Sequence, residues 1–369
     1  MARTASRILG FDGLRAIAFL LVFVSHKAPS AETGAYGMSA VWIFFVLSGF
    51  LITGILARLR EDIENASSTF KASIVDFYIR RTGRIFPPYY ALLFVIALLA
   101  ALGLVSVGAR SAFLSNWLFL SNVYIAMRWW PDALGHLWSL SVEEQFYLLF
   151  APIALTVPRP RLGLVCVIVL FLSAAVDIGA YLYGVDFITF SVASSVNFGL
   201  FALGGLAVLA ASRPLPRWLG CAPATWINVA LISAAPFLMS NPNDEFLLTH
   251  GRPLGLLFAL LLLQIAQSQS SVLVRALDWT PLRRLGVISY GAYLYHYPLS
   301  SASILAGLGL GAAAKLWLTM PLDLFLTIVV ATVSYRYLEQ PIRNWSRRTA
   351  DARVSQAADA SASRGTREA

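Results

Sequence analysis

Ten apolar stretches, each close to 20 residues, alternate with short polar or Pro/Arg-rich breaks along most of the chain. They cover approximately 9–29, 37–57, 85–105, 137–157, 162–183, 189–211, 224–240, 246–268, 285–306 and 315–337. An α-helix of that length crosses the hydrocarbon core of a bilayer. In lipid, backbone N–H and C=O groups have to be satisfied within the segment or within a closed barrel. The pattern therefore predicts an all-α, polytopic transmembrane helix bundle of about ten spans. The segment 224–240 is short for a span and contains Pro236.

Composition agrees with this reading. Hydrophobic residues make up 58% of the 369, only 13% are charged, and the mean hydropathy is +0.70. Soluble domains carry about twice that share of charge. The net charge of +9 raises the question of nucleic acid, but the distribution of the cations answers it. With the first residues placed in the cytoplasm, 22 of the 28 lysines and arginines fall inside. Five fall outside (Lys27, Arg110, Arg128, Arg252 and Lys315), and Arg15 lies within the first span. That asymmetry is the positive-inside pattern with both termini cytoplasmic, so no nucleic-acid partner is expected.

The inner segment from Arg58 to Asp76 is polar and long enough for an amphipathic helix. The outer segment from Ser106 to Gly135 is aromatic, and Trp117, Trp129 and Trp130 suit the membrane–water interface. Residues 1–348 read as one transmembrane domain. From 349 to 369 the chain becomes Ala, Ser and Arg without apolar periodicity and reads as a disordered cytoplasmic tail. No cleavage site follows the first apolar segment, which is expected to remain as a span. Cys166 and Cys221 offer no disulfide framework or metal-ligand spacing.

Candidate chemistry begins with Arg15 and His26 in the first span, FDGLRAIAFLLVFVSHK. An ionisable group at membrane depth costs roughly a few kcal/mol and usually marks a site. Eleven residues bring the two side chains to within about 20° of one helix face, roughly 16 Å apart along the axis. Asp12, one turn before Arg15, is placed to pair with it. A cation near one membrane face and an imidazole deeper in suit a long anionic ligand. The plainer reading makes Arg15 a snorkelling residue and His26 an interfacial one.

In GHLWSLSVEEQFYLLF, His136, Ser139, Glu143 and Tyr147 form a polar stripe on one helix face. A carboxylate at the depth of Glu143 needs a cation, an imidazole or a proton, while Glu144 points elsewhere. An acidic face beside a His-bearing face is the arrangement of a base and its orienting partner. In YIRRTGRIFPPYY, Arg81 and Arg84 lie one turn apart with Arg80 adjacent. Clustered guanidiniums suit phosphate groups, and they also serve as topology anchors that touch anionic membrane lipids. His296 in ISYGAYLYHYPL reads as an interhelical hydrogen bond with a kink at Pro298, and Glu339 in YLEQPIR reads as a local ion pair with Arg336 or Arg343. Four scattered histidines without a ligand motif give no reason to assign a metal.

Together these segments resemble the acyltransferase 3 family of membrane O-acyltransferases. The resemblance is carried by FDGLRAIA with Arg15 and His26, WIFFVLSGFLIT, RRTGRIFPPYY, HLWSLSVEEQFYLL, SYGAYLYHYPL and YLEQPIR, in the family's order over about residues 8–345. It implies transfer of an acyl group, usually acetyl, from acyl-CoA (acetyl-CoA) to a hydroxyl of a carbohydrate, a lipid-linked sugar or a small natural product. It also implies a multi-pass protein of the bacterial inner (plasma) membrane. Arg15 and His26 match the family's Arg-x10-His pair, Arg81 and Arg84 its Arg-x-x-Arg motif, and Glu143 its acidic position. Some members carry an additional extracytoplasmic hydrolase-like domain; this sequence is expected to act without one.

The mechanism expected at this stage docks the coenzyme A phosphates on Arg80, Arg81 and Arg84 at the inner surface. The pantetheine arm then runs past Arg15 towards His26. His26 acts as general base on the acceptor hydroxyl, with Glu143 holding its tautomer. A covalent acyl-His intermediate remains open. The acceptor is expected outside the cytoplasm, because His26 lies near the outer end of its helix. Two rivals stand beside this account: O-acylation of a small natural product such as a macrolide, and a proton-coupled transporter without acyl transfer.

Overall fold

The computed structural model describes residues 7–104, 110–128, 134–238, 245–299 and 312–351, and among them all regular structure is helical. In chain order the α-helices are α1 (Phe11–Lys27), α2 (Ala31–Glu64), α3 (Phe70–Ala101), α4 (Arg110–Trp117), α5 (Ser121–Arg128), α6 (Trp138–Thr156), α7 (Leu162–Leu182) and α8 (Phe187–Val192). They continue as α9 (Ser194–Ala210), α10 (Arg217–Gly220), α11 (Ala222–Leu238), α12 (Glu245–Gln267), α13 (Val272–Leu277), α14 (Thr280–Val287), α15 (Ser289–Tyr295) and α16 (Ala312–Ser334). Each of the ten apolar stretches coincides with at least one helix. Four helices are long and apolar enough to cross a membrane by length and composition: Glu32–Glu64, Phe70–Ala101, Arg159–Leu182 and Leu318–Asp351.

The boundaries depart from the sequence reading in instructive ways. The polar segment 58–76 is neither a loop nor a separate amphipathic helix. It is the continuation of α2 and the start of α3, joined by a short turn in which Ala66 takes a left-handed φ of 54°. Local bonds carry the helices that far: Arg60 pairs with Glu64 one turn on, and the Thr69 hydroxyl caps α3 by accepting from the Ala72 N–H. The segment 189–211 breaks at the extended Ala193 into α8 and α9. Pro298 does not kink a continuing helix; α15 ends at Tyr295 and the chain turns through 296–298. The last helix continues to Asp351, so the first residues of the expected tail are helical, while 352–369, Trp129 and Trp130 lie outside the described residues.

α2 is the central element and packs most extensively on α9, with α1, α6 and α12 around it. α7 and α16 lie at the periphery and turn large apolar side chains such as Phe171, Leu172 and Phe325 outward. An apolar exterior around a packed apolar interior is the expected pattern where the solvent is lipid. Helix association then depends on close packing, because burying apolar surface against a neighbour gains little over burying it in lipid tails. The α2–α9 contact shows how close: a Cβ at Gly49 would lie 2.0 Å from the Phe201 carbonyl oxygen, and one at Gly204 would lie 1.9 Å from that of Val46. At the arginine-rich end, where α1 begins, a Cβ at Gly286 would meet the Asp12 carbonyl oxygen at 1.7 Å. That contact seats α14 on the first turn of α1 and so positions Asp12 and Arg15.

Gly204→Ala should lower the thermal stability of the detergent-solubilised protein by about 1–3 kcal/mol, the usual cost of overpacking. Gly34→Ala, where an added Cβ meets nothing within 4 Å, should leave the melting temperature unchanged or slightly raised. Thermal unfolding of the two variants side by side checks this.

Candidate functional site

α1 delivers Arg15 to the interior and an ion pair holds it there. Its guanidinium donates to Asp12 at 3.1 Å, one turn earlier on the helix. Asp12 is shared, because Arg7 reaches its other oxygen at 2.8 Å while also touching Asp278 at 3.1 Å. Arg15 opens onto a cleft lined by side chains of five helices. The polar side chains lining the cleft are Arg15, Ser48, Arg81, Arg84, Ser139, Glu143, Tyr147, Ser289, Tyr290 and Tyr293, contributed by α1, α2, α3, α6 and α15. Between them lie Phe44, Phe45, Leu51, Ile85 and other apolar groups.

Within the cleft, Glu143 is well partnered. Its carboxylate accepts from the Ser48 hydroxyl at 2.6 Å and from the Tyr147 hydroxyl one helical turn away. The Arg81 guanidinium lies over the rings of Tyr147 and Phe77, 5.5 and 5.9 Å from their centroids. A guanidinium held over aromatic rings in this way keeps its N–H groups available to donate. Among the described residues, neither Arg81 nor Arg84 has a carboxylate oxygen within 4.0 Å. Two guanidiniums without a carboxylate at bonding distance, facing one cavity, are chemically suited to an anion.

Beyond Tyr293 and Ser139 lies a cluster of imidazoles. The Tyr293 hydroxyl donates to the His136 carbonyl at 2.9 Å and bonds the Ser139 hydroxyl at 2.7 Å, so the two side chains form a layer between cleft and cluster. The Tyr293 ring contacts the rings of His136 and His296 at 5.6 and 5.5 Å. His26 stacks on His296 at 5.1 Å between centroids, and its Nδ1 lies 2.8 Å from His296 Nε2. His296 Nδ1 in turn lies 2.7 Å from the Tyr293 carbonyl oxygen. The Nε2 of His136 bonds the Leu294 carbonyl at 3.1 Å, and Tyr297 packs against both His26 and His136. Next to His26, Lys27 pairs with Asp323 at 2.9 Å and donates to the Leu299 carbonyl, which clamps this end of α1 to α16.

The structure thus gathers Arg15, Arg81, Arg84 and Glu143 around one cleft, and places His26 in the adjoining layer. Arg80 does not join them. It pairs with Asp76 at 2.8 Å and with Asp351 at 2.7 Å, because successive residues of a helix point about 100° apart and Arg80 is turned towards the last helix. Glu143 is not the partner of His26; Ser48 and Tyr147 hold it in the cleft, and the imidazole bonded to His26 is His296. Sequence reasoning saw an interhelical hydrogen bond at His296 but not its partner, which lies 270 residues away. Ser48 and Tyr293 as cleft residues were missed as well, being ordinary residues of apolar segments.

The sequence matches the Acyltransferase domain of the acyltransferase 3 family over residues 8–336, and the chain belongs to that family. It is 32% identical to the peptidoglycan O-acetyltransferase OatA of Listeria monocytogenes, across 90% of this chain and 55% of the relative. It is 29% identical to the O-acetyltransferase OatA of Staphylococcus aureus, across 90% of this chain and 57% of the relative. The chain therefore spans little more than half the length of these relatives. No solved structure matches it.

A phosphate-bearing ligand tests the anion site directly. Free coenzyme A should raise the melting temperature of the purified protein through preferential binding to the folded state. Arg81→Ala and Arg84→Ala should each weaken that binding about tenfold, equivalent to about 1.4 kcal/mol, while Arg80→Ala leaves it unchanged. Thermal-shift titrations with each variant read out the affinities.

Proposed function

We propose that this protein is a membrane O-acetyltransferase that moves an acetyl group from acetyl-CoA to a hydroxyl of a cell-surface carbohydrate. The observation that carries the reading is the pair of guanidiniums, Arg81 and Arg84, without a carboxylate at bonding distance in a cleft that extends to the layer covering His26. The coenzyme A phosphates dock on Arg81 and Arg84 from the cytoplasmic side, with Arg15 as the third cation. The pantetheine arm follows the apolar walls of the cleft, and the thioester reaches the imidazole cluster past Tyr293 and Ser139. His26 takes the proton of the acceptor hydroxyl as that oxygen attacks the thioester carbonyl. The departing coenzyme A thiolate recovers the proton, so ester and thiol are formed with no net proton change. The acceptor approaches from the extracytoplasmic end of the bundle, in the bacterial plasma membrane. The OatA relative that is named for peptidoglycan supports a glycan acceptor.

The test is transfer of label from acetyl-CoA in isolated membranes to peptidoglycan glycan strands, with a macrolide as the competing acceptor. Label in the glycan supports the reading; label only in the macrolide changes the acceptor, and no transfer at all leaves a transporter. His26→Ala should lower transfer at least about 100-fold at unchanged protein abundance, since a general base contributes roughly 10²–10⁴-fold. Near-normal transfer by that variant overturns the assignment.

A further inference from the structure

We infer that His296 is the positioning residue of His26, and that it fixes Nε2 as the nitrogen of His26 that accepts the substrate's proton. The inference rests on the reading of His26 as general base. A backbone carbonyl only accepts, so the 2.7 Å contact between His296 Nδ1 and the Tyr293 oxygen requires a proton on that nitrogen. In neutral His296 this leaves Nε2 with a lone pair. The 2.8 Å contact to His26 Nδ1 is then a bond in which His26 donates. Neutral His26 therefore carries its proton on Nδ1 and presents the lone pair of Nε2.

Burial makes the chain of bonds consequential. His296 is fully buried, enclosed by Phe19, Phe23 and Tyr293, so water does not compete for its ring nitrogens. As the acceptor's O–H bond breaks, its proton goes to His26 Nε2 and the imidazolium charge spreads to Nδ1–H. His296 Nε2 accepts from that N–H more strongly, and the Tyr293 carbonyl supports His296 in turn. The thioester C–S bond then breaks, and the thiolate takes the proton back from Nε2. The relay ends on a peptide dipole instead of a carboxylate, and no second proton moves. It also ties the base to the cleft, because Tyr293 supplies the carbonyl that ends the relay and the ring that lines the cleft.

Two isosteric substitutions separate positioning from packing. Asn at 296 can keep an N–H near the Nδ1 position, and so the bond to Tyr293, but it ends short of His26. Gln at 296 can place its carbonyl oxygen near the Nε2 position and accept from His26. His296→Asn should lower kcat at least about 100-fold with both KM values within about threefold, whereas His296→Gln should retain kcat within about tenfold. Equal losses in the two variants, or wild-type kcat in His296→Asn, would overturn the inference. Magic-angle-spinning NMR of protein labelled with ¹⁵N-histidine supplies a readout independent of turnover. His26 should be the neutral Nδ1–H tautomer in the wild type and should lose that fixed tautomer in His296→Asn; an Nε2–H tautomer in the wild type sinks the inference. Absence of acetyl transfer by the wild-type protein would remove the base reading itself. Discordant variants in an active wild-type background would remove only the assignment of His296.

Discussion

Inside a bundle of this kind there is little water to satisfy a polar group, so each has to find its partner in the protein. Most of the polar side chains in the bundle obey that constraint. Glu143 has two hydroxyls, Lys27 has Asp323 and a carbonyl, and Arg252 on α12 pairs with Asp177 on α7. Arg81 and Arg84 differ in facing a cavity with no carboxylate at bonding distance, an arrangement chemically suited to an anion.

Much of the architecture could be read from the chain because lipid imposes a strong rule. Apolar length gave the position of the helices, and the one-turn spacing put Asp12 against Arg15 as expected. What failed were questions of termination and of partners. The ends of α2 and α3 follow local capping and an (i, i+4) ion pair, not hydropathy, so a polar stretch proved to be helix. Arg80 belonged to the right motif but to the wrong face, a matter of 100° that spacing alone leaves undecided until the neighbouring helices are known.

The assignment of a partner to His26 failed for a related reason. A carboxylate is the commonest companion of a catalytic imidazole, and Glu143 stood on a suitable stripe. Ser48 on α2 lay outside that consideration, yet it is close enough to capture the carboxylate. His296 was visible only as a lone imidazole in an apolar segment. Its tie to the first helix depends on α15 ending where it does, just before the turn at 296–298. Lys27, counted among the outer cations, is partly buried against Asp323. The C-terminal end of α1 is thus anchored by a charge pair immediately beside His26.

One irregularity in the last long helix has a wider effect. Between Tyr335 and Glu339 the backbone widens to a π-turn, with the Gln340 N–H bonded to the Tyr335 carbonyl. One residue more than an α-turn requires is accommodated there, and the azimuth of everything downstream is advanced by about a quarter of a revolution. Upstream of the widening, Asp323 meets the first helix; downstream, Ser346 lies against Gly83 on the third. A single extra residue in the turn thereby lets one continuous rod address two different neighbours, the helix that bears His26 and the helix that bears Arg81 and Arg84.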